Sequence, residues 1–132
     1  MPPVKAIFFD NDGVLVDTEE LYFQATSKAM ASLGFELDRT AHESINMSQG
    51  RSTFDLALEK GVSEDDIAHA RLKRNADYLE ILRSAGDLVI PGVREALREL
   101  RPGRTFAIVT SCRPDHFKAI HERSGLLPFF DF

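Results

Sequence analysis

Apolar residues gather into short unbroken runs at two places in the chain and recur at helical spacing through most of what lies between. Residues 4–9 (Val-Lys-Ala-Ile-Phe-Phe) and 105–110 (Thr-Phe-Ala-Ile-Val-Thr) are rich in β-branched and aromatic side chains, which predicts strands buried on both faces as in a parallel sheet. Leu21, Ala25, Ala29 and Leu33 recur every four residues with Tyr22 and Met30 beside them, predicting a helix over 19–33 that Gly34 stops. Thr40 and Ser52 are candidate N-caps and Gly61 is a break. A long charged helix is predicted over 64–83, with Ala68, Leu72, Ala76 and Leu79 on one face. Pro91-Gly92 then opens a short amphipathic helix carrying Val93, Ala96, Leu97 and Leu100, and Pro102-Gly103 turns the chain into the second strand. Pro114 suits a first helical turn, Phe117 and Ile120 define that helix's inner face, and Gly125 ends it. The order strand, helical block, helix, strand predicts an α/β fold: a core formed by 1–15 and 87–132, with an all-helical insertion over 16–86.

Composition narrows the function. With 132 residues, 43% hydrophobic and 28% charged, the chain has a globular make-up sufficient for one domain of the usual ~100–200 residues. A net charge of -5, with no Lys/Arg block longer than Lys73-Arg74, excludes a nucleic-acid footprint and leaves a small molecule or another protein as partner. Cys112 is the single cysteine and can form no internal disulfide. The N-terminus lacks a signal-peptide pattern, so a cytoplasmic location is expected. No run approaches the ~18 consecutive apolar residues of a membrane span.

The chemistry concentrates in Phe8-Phe9-Asp10-Asn11-Asp12-Gly13-Val14-Leu15. A carboxylate at the C-terminal tip of a strand lies where open α/β sheets place ligands. Asp10 and Asp12, two apart, share a face if the strand continues, and Gly13 lets the chain turn away without a Cβ. Such a pair can divide phosphoryl transfer between a nucleophile and a general acid/base. An anion attacking a phosphate is repelled by it, so a hard, oxygen-ligated Mg²⁺ is implied. As an isolated tetrapeptide, Asp-x-Asp-Gly also reads as a solvated turn. A calcium loop is disfavoured, because aligning Gly13 with its sixth position puts Phe8 at the first ligand position and a strand where a helix should precede.

The stretch Phe8-Phe9-Asp10-Asn11-Asp12-Gly13-Val14-Leu15-Val16-Asp17-Thr18-Glu19 resembles the first signature of the haloacid dehalogenase-like hydrolase superfamily. Pro91-Gly92-Val93 with Leu97 and Leu100 resembles that family's return to its core, and Ile108-Val109-Thr110-Ser111 resembles its second motif. The separation of these motifs is similar to that in the helical-cap branch of β-phosphoglucomutase and phosphoglycolate phosphatase-like enzymes. The resemblance implies a Rossmann-like parallel-sheet core with an inserted helical cap. It implies Mg²⁺-dependent transfer from a small phosphorylated metabolite, with Asp10 as the nucleophile that becomes an aspartyl phosphate and Asp12 as general acid/base. Asp10 and, through its backbone carbonyl, Asp12 are implied metal ligands, and the Thr110 hydroxyl with the Ser111 backbone beside it is implied to bind the transferring phosphoryl group. The second aspartate is similar to the phosphate-transferring members rather than to the dehalogenases. In the cap, Gly50-Arg51-Ser52 resembles a loop whose arginine grips a second phosphate or a carboxylate, a task suited to guanidinium's bidentate geometry. A solvated surface arginine is the alternative, and Lys73, between Arg71 and Arg74, reads as part of a solvated face.

Two motifs of the family have no counterpart: a lysine beyond the second motif and a later acidic pair. Lys118 lies too close to Thr110 to match the first and reads as a helix-surface residue. The expectation is a truncated phosphatase, incomplete as a catalyst and with a sheet edge open to self-association. Alternatives are a sugar-phosphate mutase, and a non-catalytic chain whose exposed edge pairs with a partner. The spacing of His116 and His121, and the isolation of His42 and His69, give no zinc site.

Overall fold

The computed structural model describes residues 2–132, apart from the side chains at 47 and 48. The chain forms two compact units, one made of residues up to Glu19 together with Leu82–Phe132, the other of Glu20–Ile81.

In the first unit, β1 (Ala6–Phe9) and β2 (Thr105–Ile108) pair in parallel, with Ala6 opposite Thr105 and Phe9 opposite Ile108. The ladder continues past both ends, since Thr105 N donates to Lys5 O and Val109 N to Phe9 O, each at 2.8 Å. On its other edge β2 meets the last residues: Ile108 N donates to Phe132 O, and Asp131 N to Phe106 O. Asp131 Oδ2 accepts from Phe106 N at 2.9 Å, which makes this carboxylate part of the sheet edge. Phe106 is fully buried and sits edge-on to Phe9, ring centroids 5.1 Å apart, with Phe130 at 5.9 Å. Helix α5 (Val93–Leu100) buries Leu97 while Ala96 and Leu100 face out, and α6 (Pro114–His121) starts on Pro114 and buries Ile120.

β2 buries the neighbouring residues Phe106 and Ala107, one on each face, as its composition predicts, but β1 is not buried on both faces. Phe9 packs on Phe106 and Phe130, but Phe8, on the opposite face, is 71% exposed. A run of apolar residues records how much apolar surface a strand carries and not which neighbours cover it.

In the second unit, α1 (Glu19–Ser32) and α3 (Phe54–Glu59) bring Ala29, Met30, Phe54 and Ala57 into one core with Ile67 and Ala70 of α4 (Glu64–Ser84). Between them lie α2 (Arg39–Glu43) and one π-helical turn over Ser44–Ser48. Asp38, not Thr40, caps α2, accepting from Ala41 N at 3.1 Å. Ser52 Oγ accepts from Phe54 N one residue ahead of the capping position at Thr53.

The buried face of α4 also departs from the predicted one. It carries Ile67, Ala70, Arg74, Tyr78 and Leu82, whereas Ala68 and Ala76 are exposed and Leu72 is 69% exposed. Arg74 explains the rotation. Its guanidinium lies over the rings of Tyr22 and Phe54, 5.0 and 5.1 Å from their centroids, and donates to Tyr22 Oη at 2.9 Å. Stacking and hydrogen bonding let a charged residue occupy the inner stripe.

Candidate active site

The β1–β2 register brings the two predicted motifs to neighbouring strand ends. Asp10 follows Phe9 directly, and because Val109 N still donates to Phe9 O, Thr110 and Ser111 leave β2 at the same end. Asp10 is exposed, and its Oδ1 accepts from Asn11 N at 2.8 Å. The next residues close a tight turn. Asn11 O accepts from Val14 N, Leu15 N and Val16 N at 3.3, 2.9 and 3.2 Å, and Gly13 N donates to Val16 O at 2.8 Å. Gly13 has φ +78°, which favours glycine, and a Cβ on it would stand 2.6 Å from Glu19 Oε1, so the Glu19 side chain would have to move aside.

Asp12 is half-buried, and its Oδ1 accepts from the hydroxyl of fully buried Thr18 at 2.6 Å. The chain leaving the turn is pinned as well, by Asp17 N donating to Leu88 O and Ile90 N to Leu15 O. Thr110 Oγ1 accepts from Cys112 N at 3.0 Å, so its own hydroxyl proton is available to an acceptor beyond the strand end. Burial first, then the charges of Asp12 and Asp115, push the Cys112 thiol up to about 12, which disfavours the thiolate.

Gly50 and Arg51 belong to the other unit. Arg51 N donates to Ile45 O at 3.0 Å, Gly50 takes φ +62°, and the guanidinium pairs with Glu59 and, at 3.8 Å, with Asp55. The hydrogen bond to Glu59 raises the Arg51 pKa further above its usual range. Lys73 is exposed and paired with Asp77 at 3.1 Å.

Among the described residues, no group of three or more His, Cys, Asp or Glu side chains converges as a closed metal site. The Asp10 carboxylate and the Asp12 backbone carbonyl are nonetheless hard oxygen donors of the kind Mg²⁺ accepts, because that ion commonly takes one or two carboxylates and completes its shell with water and phosphate oxygens. The open pair therefore fits.

Several contributors to the site escaped the sequence reading. Thr18 lies within the motif but reveals its role only when the turn folds it back on Asp12. Asn11 and His121 are both buried and bonded to each other. His121 follows Phe117 by four residues, which places it on the inner face of α6, and that spacing is the signal that marks it as a buried polar residue.

A phosphorylated carbohydrates phosphatase of Thermotoga maritima is 30% identical over 133 aligned positions, covering 97% of this chain and 59% of the relative. Protein CbbY of Rhodobacter capsulatus is 31% identical, covering 82% of this chain and 51% of the relative. The chain thus spans somewhat more than half the length of these relatives. In fold, the crystal structure of a β-phosphoglucomutase from Clostridium difficile matches with a TM-score of 0.79 at 22% identity, covering 98% of this chain and 60% of that one. No helix among the described residues is long and apolar enough to cross a membrane. The family model for haloacid dehalogenase-like hydrolase matches residues 4–132, which include both strands and the residues that follow them, and the chain belongs to that family.

Proposed function

We propose that this chain carries the nucleophile-bearing part of a Mg²⁺-dependent phosphatase that acts on a small phosphorylated metabolite, a phosphorylated carbohydrate being the class favoured by the Thermotoga relative. The observation that carries this reading is the shared strand end: an exposed carboxylate on β1, a second carboxylate two residues on, and a hydroxyl donor leaving β2 beside them.

In this mechanism an Asp10 oxygen attacks phosphorus, forming the bond to phosphorus as the bond to the leaving oxygen breaks. Asp12 gives its proton to that oxygen. The aspartyl phosphate is then hydrolysed by water, whose proton returns to Asp12 as Asp10 is released with inorganic phosphate. The hydrogen bond from Asn11 N fixes one Asp10 oxygen and leaves the other to attack, while Thr18 fixes the Asp12 carboxylate. Thr110 and Ser111 supply donors for the phosphoryl oxygens. Mg²⁺, held by Asp10 and by Asp12, would neutralise charge between nucleophile and phosphate.

A mutase asks Arg51 to hold a second phosphate, but its guanidinium is already engaged by Asp55 and Glu59, so hydrolysis is the favoured reaction. The test is phosphate release by the full-length protein from a panel of sugar phosphates, with Mg²⁺ or with chelator, against Asp10→Asn. Loss of turnover in the variant is expected; turnover that survives Asp10→Asn overturns the reading.

A further inference from the structure

Beneath the Asp10–Asp12 turn lies a chain of buried polar side chains that the reaction above does not use. Asn11 is 0% exposed, and its Oδ1 is 2.7 Å from Nε2 of His121, 110 residues away in sequence. The other ring nitrogen, Nδ1, is 2.8 Å from Ser124 Oγ, which accepts from Leu126 N at 3.1 Å. We propose that His121 is a positioning residue for phosphoryl transfer, holding Asn11 and through it the aim of Asp10 and Asp12. The proposal rests on the reading of Asp10 as nucleophile.

Hydrogen-bond chemistry assigns each proton. An amide oxygen only accepts, so Nε2 carries the hydrogen. Nδ1 then accepts from the Ser124 hydroxyl, whose oxygen takes the Leu126 N–H, and every group from Asn11 Oδ1 to Leu126 N is used once in the correct sense. The ring is the neutral Nε2–H tautomer, in keeping with burial, which pushes its pKa down against the opposing pull of Asp12. The far end is fixed too, since Ser124 O accepts from Arg94, which pairs with Asp87 at 2.9 Å.

Asn11 Nδ2, by contrast, is buried without a hydrogen-bond partner. A buried N–H left without a partner is costly, and what Asn11 supplies against that cost is its oxygen, the acceptor for His121. Its backbone transmits the restraint in both directions. The N–H holds the Asp10 carboxylate and the carbonyl accepts three donors of the turn that presents Asp12. A turn of the Asn11 side chain away from His121 would therefore move both reacting groups.

The experiment compares the full-length protein with His121→Leu, His121→Gln and the double variant Asn11→Leu/His121→Leu, using p-nitrophenyl phosphate with Mg²⁺. His121→Leu should lower kcat about 10- to 100-fold with little change in KM, the cost of slight misplacement of reacting groups. His121→Gln, which keeps an N–H donor, should recover part of the loss. The double variant removes the amide and the imidazole together, leaves only the Ser124 hydroxyl without its acceptor, and should be more stable than His121→Leu while keeping the low kcat; wild-type kcat in a folded double variant overturns the proposal. Imidazole ¹⁵N shifts and backbone amide order at residues 10–13 are read without turnover. An Nδ1–H ring, or a loop equally ordered in His121→Leu, overturns the proposal even if the wild type hydrolyses nothing, whereas an inactive wild type with a loosened loop in the variant would sink the phosphatase reading, and with it the positioning role, while leaving the His121 restraint on the turn standing.

Discussion

Replacing Gly13 by alanine should destabilise the protein by about 1–2 kcal/mol, and the figure can be built from three contributions. A residue with a Cβ at φ +78° pays the left-handed cost of roughly 1–2 kcal/mol. The new Cβ would meet Glu19 Oε1 at 2.6 Å, but this is the far end of an exposed, flexible side chain, so rotation of Glu19 relieves the clash for an added cost of roughly 0.5–1 kcal/mol. Against these, alanine restricts the unfolded chain and returns roughly 0.4–1 kcal/mol. Urea unfolding of wild type, Gly13→Ala, Glu19→Ala and the double variant separates the parts. The double variant should recover only the Glu19 contribution, and Gly13→Asn in the Glu19→Ala background should do better than alanine, since asparagine tolerates positive φ. A Gly13→Ala midpoint equal to the wild type would refute the argument from φ. Full recovery by Glu19→Ala would show that contact alone makes glycine necessary.

Phe106→Ala removes a fully buried ring that touches Phe9 and Phe130 and should cost about 3–5 kcal/mol by chemical denaturation; a loss below about 1 kcal/mol would mean that the rings close over the gap. Burial holds the pKa values of His42 and His121 below the ordinary 6.5. The unfolded chain therefore takes up protons first, so stability is full above about pH 6.5 and is lost as pH falls through that value towards the folded pKa values. Urea midpoints should fall between about pH 6.5 and 5, with a smaller fall in His42→Gln; a flat profile would contradict the buried neutral rings. Cys112, with its thiol pushed up to about 12, should react with iodoacetamide far more slowly at neutral pH than an ordinary free thiol, and rapid labelling would contradict its burial beside Asp12.

What sequence could reveal differs from residue to residue for physical reasons. The strand before Asp10, the left-handed glycine after Asp12, Pro114 opening α6 and the α/β order are local properties of backbone and periodicity, and the structure contains each of them. The face of α4 was not legible, because the buried stripe includes Arg74 and a hydrophobicity pattern leaves a charged residue out of the core. The rings that accept it, Tyr22 and Phe54, sit on other helices. Burial of β1 was likewise misread, since Phe8 is as apolar as Phe9 and only the packing of Phe106 and Phe130 on one face tells them apart.

Asn11 shows how a site and its support follow from a single alternation. Asp10 is exposed, Asn11 fully buried and Asp12 half-buried, so the side chains alternate through the bend that follows β1. Placing both carboxylates on the outer side forces the residue between them inward, under the end of the sheet. With leucine there the position would simply add to the core. With asparagine it brings in an amide, and buried amides demand partners. The sequence thus poses a question that only the fold can answer, namely which donor reaches position 11. The answer, His121, comes from the inner face of the helix that follows Thr110 and Ser111, so one buried hydrogen bond joins the Asp10–Asp12 turn to the element that begins just after the second motif. The two motifs are thereby locked together twice, by the strand register on one side and by this bond on the other. Displacing the imidazole would release only the second lock, so its effect should be felt in the aim of the carboxylates before it is felt in the integrity of the sheet.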